Sequence, residues 1–466
     1  MAIQRPPGPN FFPYIGGVIA MKRTNPPSFF LNLARTYGDV VWYQLAGTDV
    51  YQLSHPDHIQ ELLVSNIHVY HKGDMDKRVL RQTLGNGLVL SDGDFWKRQR
   101  KLVAPAFHSK RIESYVETMV DFAGKVMSGW TDGTRIEMHR EMTRLTLYIV
   151  SKTLYDTDVT ESADGIGELV TTLAHIGNQQ YTQGFVPPSW LPIPQVTEAR
   201  RAVQALNGIM MPIIEARRQS GEDRGDLLSM LLQSQDEDGS QMTDQQVRDE
   251  AVTLFLAGHE TTSNALSWTW ALLSQHPEAE ARLHAELDAV LGDRPPTFAD
   301  LPKLTFTDAV FKEAMRLYPP AWALTGRQPQ EDVQLAGYTI PKNSVVITFP
   351  YVVHRDARWF ENPDAFRPER WLDGLEKRIP KYAYFPFGGG PRVCVGNQFA
   401  LMEGKLILAA LASRYQFRLT EPGPIGFDAA ITLRPQGGLP MRVERRDKHR
   451  GTEQHAEEAR TSLTMY

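Results

Sequence analysis

No proline falls between Thr243 and Pro277, and Thr243 with Gln246 has the Thr-x-x-Gln form of a capping box. The stretch reads as one uninterrupted helix ending at His276. At 1.5 Å per residue it is about 50 Å long, enough to cross a domain of this size. Val247, Ala251, Leu254, Gly258, Thr261 and Ala265 fall on one stripe at alternating spacings of four and three. Gly258 leaves a gap in that stripe and Thr261 brings a hydroxyl, so neither suits a pure packing seam.

Helical periodicity dominates the middle of the chain, and short strand-like segments lie near its ends. Residues 39–54 read as a hairpin turning at Ala46 to Asp49, and residues 333–349 as another turning at Lys342 and Asn343. The fold class expected is therefore mainly α with small β-sheets. No Gly/Ser or Pro-rich linker divides the 466 residues, so one catalytic domain over 1–445 is expected. Residues 446–466 are charged and aromatic-poor, the composition of a disordered tail. The proline-broken apolar segment 185–194, "FVPPSWLPIP", reads as an ordered loop: a packed surface loop, an entrance lid or a membrane-touching patch.

A net charge of -5 and a pI near 6.2 give no global reason to expect nucleic acid as partner. The single cysteine excludes an intramolecular disulfide and fits a reducing compartment. Prolines at 6, 7 and 9 break any apolar helix at the start, and "AVTLFLAG" (251–258) is too short to cross a bilayer. No transmembrane anchor and a cytoplasmic location are the expectation.

That one cysteine, Cys394, sits in "FPFGGGPRVCVG" (385–396). An isolated cysteine is ordinarily a buried small hydrophobe. Here glycines at 388, 389, 390 and 396 let a flat group approach the main chain, and helical periodicity resumes directly after the sulfur. A helix N-terminus favours a thiolate. A phosphate loop would need Gly-Lys-Ser/Thr, and a dinucleotide fingerprint would need glycine where Val393 stands. A cysteine nucleophile needs a histidine base, and the thirteen histidines indicate none in particular. Axial ligation of a haem iron uses the glycines, the sulfur and the helix start together.

Phe387, Gly390, Arg392, Cys394 and Gly396 match the pattern Phe-x-x-Gly-x-Arg-x-Cys-x-Gly. On these residues the chain resembles the cytochrome P-450 family, with the family's hallmarks in order from "RPPGP" (5–9) to the helix after Cys394. The resemblance implies haem b, iron protoporphyrin IX, between the long helix and the cysteine loop, with Cys394 on the iron and Phe387, Gly388 and Gly396 shaping the loop beneath it. "AGHETT" (257–262) is similar to the family's oxygen-activating segment. Glu260 and Thr261 are then the acid and alcohol pair, Ala257 and Gly258 leave room for dioxygen, and a local break in helix hydrogen bonding admits water. Taken alone, the threonines could simply bond back to the preceding turn. A zinc-protease His-Glu-x-x-His motif is excluded because residue 263 is serine.

Glu313 and Arg316 in "EAMR", alone, would be a surface pair contributing about 0.2–0.5 kcal/mol. The resemblance makes them, with Arg370, a buried structural lock. It assigns Trp96, Arg100, Arg327, His354 and Arg392 to the haem propionates, where cations and donors neutralise carboxylates. Lys97 and Lys101 would point elsewhere, as a docking site for an acidic electron-transfer protein. Phe255, Ala257, Ala323 and Leu324 are the candidate substrate contacts, in an apolar wall suited to a lipid-like, terpenoid, steroid or aromatic compound.

The function so implied is a monooxygenase that takes O2, a small hydrophobic substrate and two electrons. No flavin or iron–sulfur domain follows the haem segment, so a ferredoxin or flavodoxin-type donor with an NAD(P)H reductase is expected. A peroxide-using or peroxide-rearranging enzyme and a non-catalytic haem sensor are the alternatives. Thr261 argues against the first, and the Glu260–Thr261 pair has no purpose in the second.

Overall fold

The long helix spans Asp244–Gln275, as its sequence signals. The Thr243 hydroxyl accepts the Gln246 N–H at 3.3 Å while the Gln246 side chain accepts the Thr243 N–H at 2.8 Å, closing the capping box. The computed structural model describes residues 5–10, 16–159, 163–234, 239, 241–421 and 423–446, and in it this central helix is buried along most of its length. Helix Met138–Tyr155 runs against it. A Cβ on Gly258 would lie 2.8 Å from Val150 Cγ2 on that neighbour, so the glycine allows the two helices to close. Cross-helix hydrogen bonds seal the contact: Tyr155 donates to Ala251 O at 2.7 Å, Thr146 donates to His259 O at 3.0 Å, and the His139 ring pairs with the Ser267 hydroxyl at 3.2 Å.

Short strands, numbered in chain order, form small sheets around this helical body. β1 (Val40–Leu45) and β2 (Thr48–Leu53) make the expected hairpin, turning at Ala46 and Gly47. β3 (Tyr70–Lys72) lies at the far edge of the same five-stranded sheet, and β4 (Arg135–Glu137) belongs to another. The second expected hairpin is corrected. β5 (Arg327–Pro329) precedes a hairpin of β6 (Val333–Leu335) and β7 (Tyr338–Ile340) that turns at Ala336 and Gly337, not at Lys342 and Asn343. Both turn residues have positive φ, 53° and 81°, as a two-residue hairpin turn with matching twist requires. β8 (Val345–Thr348) then leaves the hairpin and pairs in parallel with β2, giving the order β1-β2-β8-β5-β3.

Near the C-terminus β9 (Tyr415–Leu419) and β12 (Pro440–Arg445) join β4. Between them β10 (Phe427–Ala429) and β11 (Leu433–Pro435) form a hairpin whose tip, residues 430–432, reaches the interior. Of the segment read as a tail, Arg446 is still anchored by Asp288 at 2.7 Å, and 447–466 lie outside the described residues. The 185–193 segment joins helices Ala163–Gln183 and Pro194–Ser220 without regular structure, with Phe185 and Trp190 57% and 75% exposed. Among the described residues, no helix is long and apolar enough to cross a membrane.

Helix Thr305–Leu317 carries the lock. The fully buried Glu313 carboxylate accepts from Arg316 Nη2 (2.8 Å) and Nε (2.9 Å), Arg370 Nε (3.0 Å), Trp371 Nε1 (2.9 Å) and the Arg367 N–H (2.9 Å). Arg316 spends its remaining donors on the carbonyls of His354, Pro363 and Ala365. A Glu313→Gln variant leaves two buried guanidinium groups without their counter-charge. Denaturant unfolding should give a loss of about 3–5 kcal/mol; a change below 1 kcal/mol would mean the lock is not under electrostatic load.

Candidate active site

The cysteine loop is shaped by close backbone approaches. Gly390 has φ 64°, and a Cβ there would sit 2.0 Å from Leu63 O, so only glycine fits. The Cys394 N–H donates to Phe387 O at 3.0 Å, and helix Asn397–Ala412 starts directly after Gly396. The thiol opens onto an interior cavity of about 870 Å³. Burial pushes its pKa up, while the Gly396 N–H and the Arg100 charge pull the other way.

Ala257, Gly258, Glu260 and Thr261 of the central helix line the same cavity, as do Phe387, Gly388 and Gly396 of the loop. Trp96, Arg100, Arg327 and Arg392 border it, and so do Ala323 and Leu324. Val79, Leu84, Leu173, Leu254 and Ile431 give the remaining wall its apolar character.

Two expected residues are elsewhere. Phe255 is buried against Tyr155 and His259, with ring centroids 5.8 and 5.7 Å away, and is not on the cavity wall. One residue along a helix is a turn of about 100°, which carries Phe255 off the face that Leu254 presents. His354 is fully buried beside the lock, and its Nε2 accepts the Phe385 N–H at 3.0 Å. Burial, with Arg316 and Arg355 nearby, holds its pKa well below the usual histidine range, so it remains the neutral acceptor this contact needs. It braces the start of the cysteine loop and does not border the cavity.

The central helix is also unbroken through 257–262. The expected gap in its bonding is absent, and the hydroxyls bond back to the preceding turn: Thr261 donates to Ala257 O at 2.8 Å and Thr262 to Gly258 O at 3.3 Å. The Glu260 carboxyl is raised in pKa by burial, partly offset by the Thr432 hydroxyl and the Arg434 charge.

A cationic rim closes one side. Arg392 lies 4.3 Å above the Trp96 ring, bonds Asp92 at 2.6 Å and donates to Ser91 O at 2.9 Å, and Arg100 donates to Val393 O at 2.8 Å. Arg327 donates to the Thr325 hydroxyl at 2.8 Å, and its Nε has no partner among the described residues. Sequence reasoning missed Lys72. In the β3–β5 ladder it stands directly opposite Arg327, and its Nζ donates to the same Thr325 hydroxyl at 2.8 Å. Burial, Arg327 and Arg392 push the Lys72 pKa well down. Nothing local in "YHKGD" signals a cavity lysine, since the pairing is made across the sheet.

A protein-family model described as Cytochrome P450 matches residues 6–439. The chain belongs to that family. "Cyclooctatin synthase" of Streptomyces melanosporofaciens is 40% identical over 443 residues, 93% of this chain and 94% of the relative. "Cyclooctat-9-en-7-ol 5-monooxygenase" of the same organism is 35% identical, covering 94% and 95%. "Pentalenene oxygenase" of Streptomyces avermitilis is 34% identical, covering 94% and 97%. The protein is thus a haem-iron monooxygenase that acts with O2, a hydrophobic substrate and an electron donor.

The residues present fit a haem. A single thiol opens on the cavity, and the crowding of Lys72, Arg327 and Arg392, with an Arg327 nitrogen unpartnered among the described residues, suits the arrival of carboxylates.

Behind the cavity wall, Glu403 on helix Asn397–Ala412 is fully buried, and neither carboxyl oxygen has a hydrogen-bond partner among the described residues. Burial raises its pKa to about 8, only partly offset by the nearby Thr262 hydroxyl. A carboxyl raised in the fold is protonated there while the unfolded chain ionises it, so stability falls as pH climbs from about 4.5 to about 8. Glu403→Gln removes that dependence. In denaturation series between pH 5 and 8 the variant should gain on the parent with rising pH, and parallel curves would refute the buried neutral acid.

Proposed function

We propose that the protein inserts one oxygen atom of O2 into a polycyclic terpenoid, either the hydrocarbon or an alcohol made from it, at a haem b ligated by Cys394. The observation that carries this reading is that Cys394 and the Glu260–Thr261 pair open onto one apolar cavity from different elements. The terpenoid class is supported by the relatives' names, one of which specifies an alcohol as substrate. When bound, the iron porphyrin supplies oxygen activation, with the thiolate favouring O–O cleavage.

The chain's own residues do the rest. Lys72, Trp96, Arg100, Arg327 and Arg392 would hold the propionates. Glu260, its pKa raised by burial, supplies a proton, and the Thr261 hydroxyl passes it into the cavity. Ala257 would leave room for dioxygen in the cavity, and Ala323 and Leu324 would limit how the substrate lies. The apolar part of the wall, with Val79, Leu84, Leu173, Leu254 and Ile431, favours hydrocarbon bulk. Electrons come from a ferredoxin or flavodoxin-type donor with its NAD(P)H reductase, for which exposed Lys101 and Lys97, the latter paired with Asp94 at 2.8 Å, offer a basic landing site. Residues 1–445 act as a single catalytic domain.

The reduced carbon monoxide complex should show the strongly red-shifted Soret band of thiolate ligation and lose it in Cys394→Ser. Bicyclic and tricyclic terpenes and their monoalcohols should convert the ferric protein from low to high spin. If long-chain fatty acids do so and terpenoids do not, the substrate class is wrong. Thr261→Ala should consume NAD(P)H while releasing several-fold more peroxide than the parent. Turnover with peroxide alone, and none with reductase and donor, would favour the peroxide-using reading.

A further inference from the structure

Glu260 is not held by its own helix. Its Oε1 accepts the hydroxyl of Thr432 at 2.6 Å, a residue 172 positions further along the chain on the β10–β11 tip. The direction of that bond is set by a third group. Asn264, one turn along the central helix, donates its side-chain N–H to the same Thr432 oxygen at 3.1 Å. With the amide on its acceptor side, the hydroxyl directs its one proton at Glu260. Thr432 and Asn264 are both buried.

The tip that carries Thr432 is clamped from both sides. Trp322 Nε1 donates to Ala430 O at 2.9 Å, Trp268 Nε1 to Leu433 O at 3.1 Å, and the Leu433 N–H to Pro320 O at 3.0 Å. The hydroxyl is therefore delivered at a fixed point. Glu260 Oε2 has no hydrogen-bond partner among the described residues, and Glu260 borders the cavity. When such a carboxyl is protonated, the hydrogen bond already received on Oε1 leaves Oε2 to carry the proton.

We propose that Thr432 is a positioning residue for Glu260: by donating to Oε1 it places the acid proton on Oε2, the oxygen left free to serve the cavity. The inference rests on Glu260 being the proton donor of the reaction. It assigns Thr432 no contact with the reacting atoms.

The test uses the haem-containing full chain with Thr432→Val, Thr432→Ser and Glu260→Gln. Difference infrared spectra give the carbonyl stretch of the protonated Glu260, identified by its loss in Glu260→Gln. Thr432→Val should move that band to higher frequency and raise the peroxide released per NAD(P)H several-fold, and Thr432→Ser should restore both. Should Thr432→Val fail to fold, Asn264→Ser takes its place; freeing the hydroxyl to rotate should broaden the band. If Glu260→Gln raises peroxide while the Thr432 variants leave band and partition unchanged, or Asn264→Ser leaves the band sharp, the inference falls and the role of Glu260 stands. If Glu260→Gln leaves the partition unchanged, the proton-donor role falls and takes the inference with it.

Discussion

One buried carboxylate sets the position of the sulfur. Glu313 draws Arg316, Arg370, Trp371 and the Arg367 main chain onto a single point, and Arg316 passes the constraint to the His354 carbonyl at 2.8 Å. The His354 ring then receives the Phe385 N–H, the first hydrogen bond of the cysteine loop. Each link is buried and short, so the loop inherits its geometry from an ion cluster that water does not reach. Buried charge is a poor source of stability by itself, because desolvation offsets much of the attraction. Its use here is directional: guanidinium planes fix angles that apolar packing would leave loose.

The second constraint is an imbalance. Lys72, Arg327 and Arg392 gather at one side of the cavity, with Asp76 and Asp92 as their nearby carboxylates. Asp92 is drawn to Lys77 as well as to Arg392, at 2.9 and 2.6 Å. Asp76 takes the Tyr181 hydroxyl and the Gly326 N–H, both at 2.8 Å, and burial raises its pKa. The protein alone is thus left with positive charge in a poorly solvated place. A cofactor held there through carboxylates, as proposed above, would relieve that strain, and its binding would then be linked to the folding of this region.

Features legible in the sequence were those whose cause is local or whose spacing is long and specific. The capping box at Thr243, the β1–β2 turn and the glycines ahead of Cys394 are examples, and Glu313–Arg316 became readable once the Cys394 pattern named the family. Sequence reasoning lost its grip where a contact joins distant segments. His354 was taken for a cavity residue because nothing nearby reveals its partner at Phe385. Phe255 shares a helix with Leu254 and Ala257, and one residue of rotation decides which of them meets the cavity. Asn343, at φ 66°, shares the left-handed turn conformation of Gly337, yet the chain leaves the hairpin there to pair with the distant β2. Lys72 and Arg327 meet across a ladder that no local pattern announces.

Ile431 and Thr432 are neighbours on the β10–β11 tip, yet they face different tasks. Ile431 borders the cavity, its Cδ1 lying 3.1 Å from where a side chain on Gly177 would begin, while Thr432 grips the acid on the central helix. On the role proposed for Glu260, one short stretch of main chain therefore answers both to the outline of the guest molecule and to the supply of hydrogen ions. Remodelling this corner to admit a bulkier guest displaces the acid's anchor as well, so appetite and thrift in this catalyst are tuned by the same few atoms.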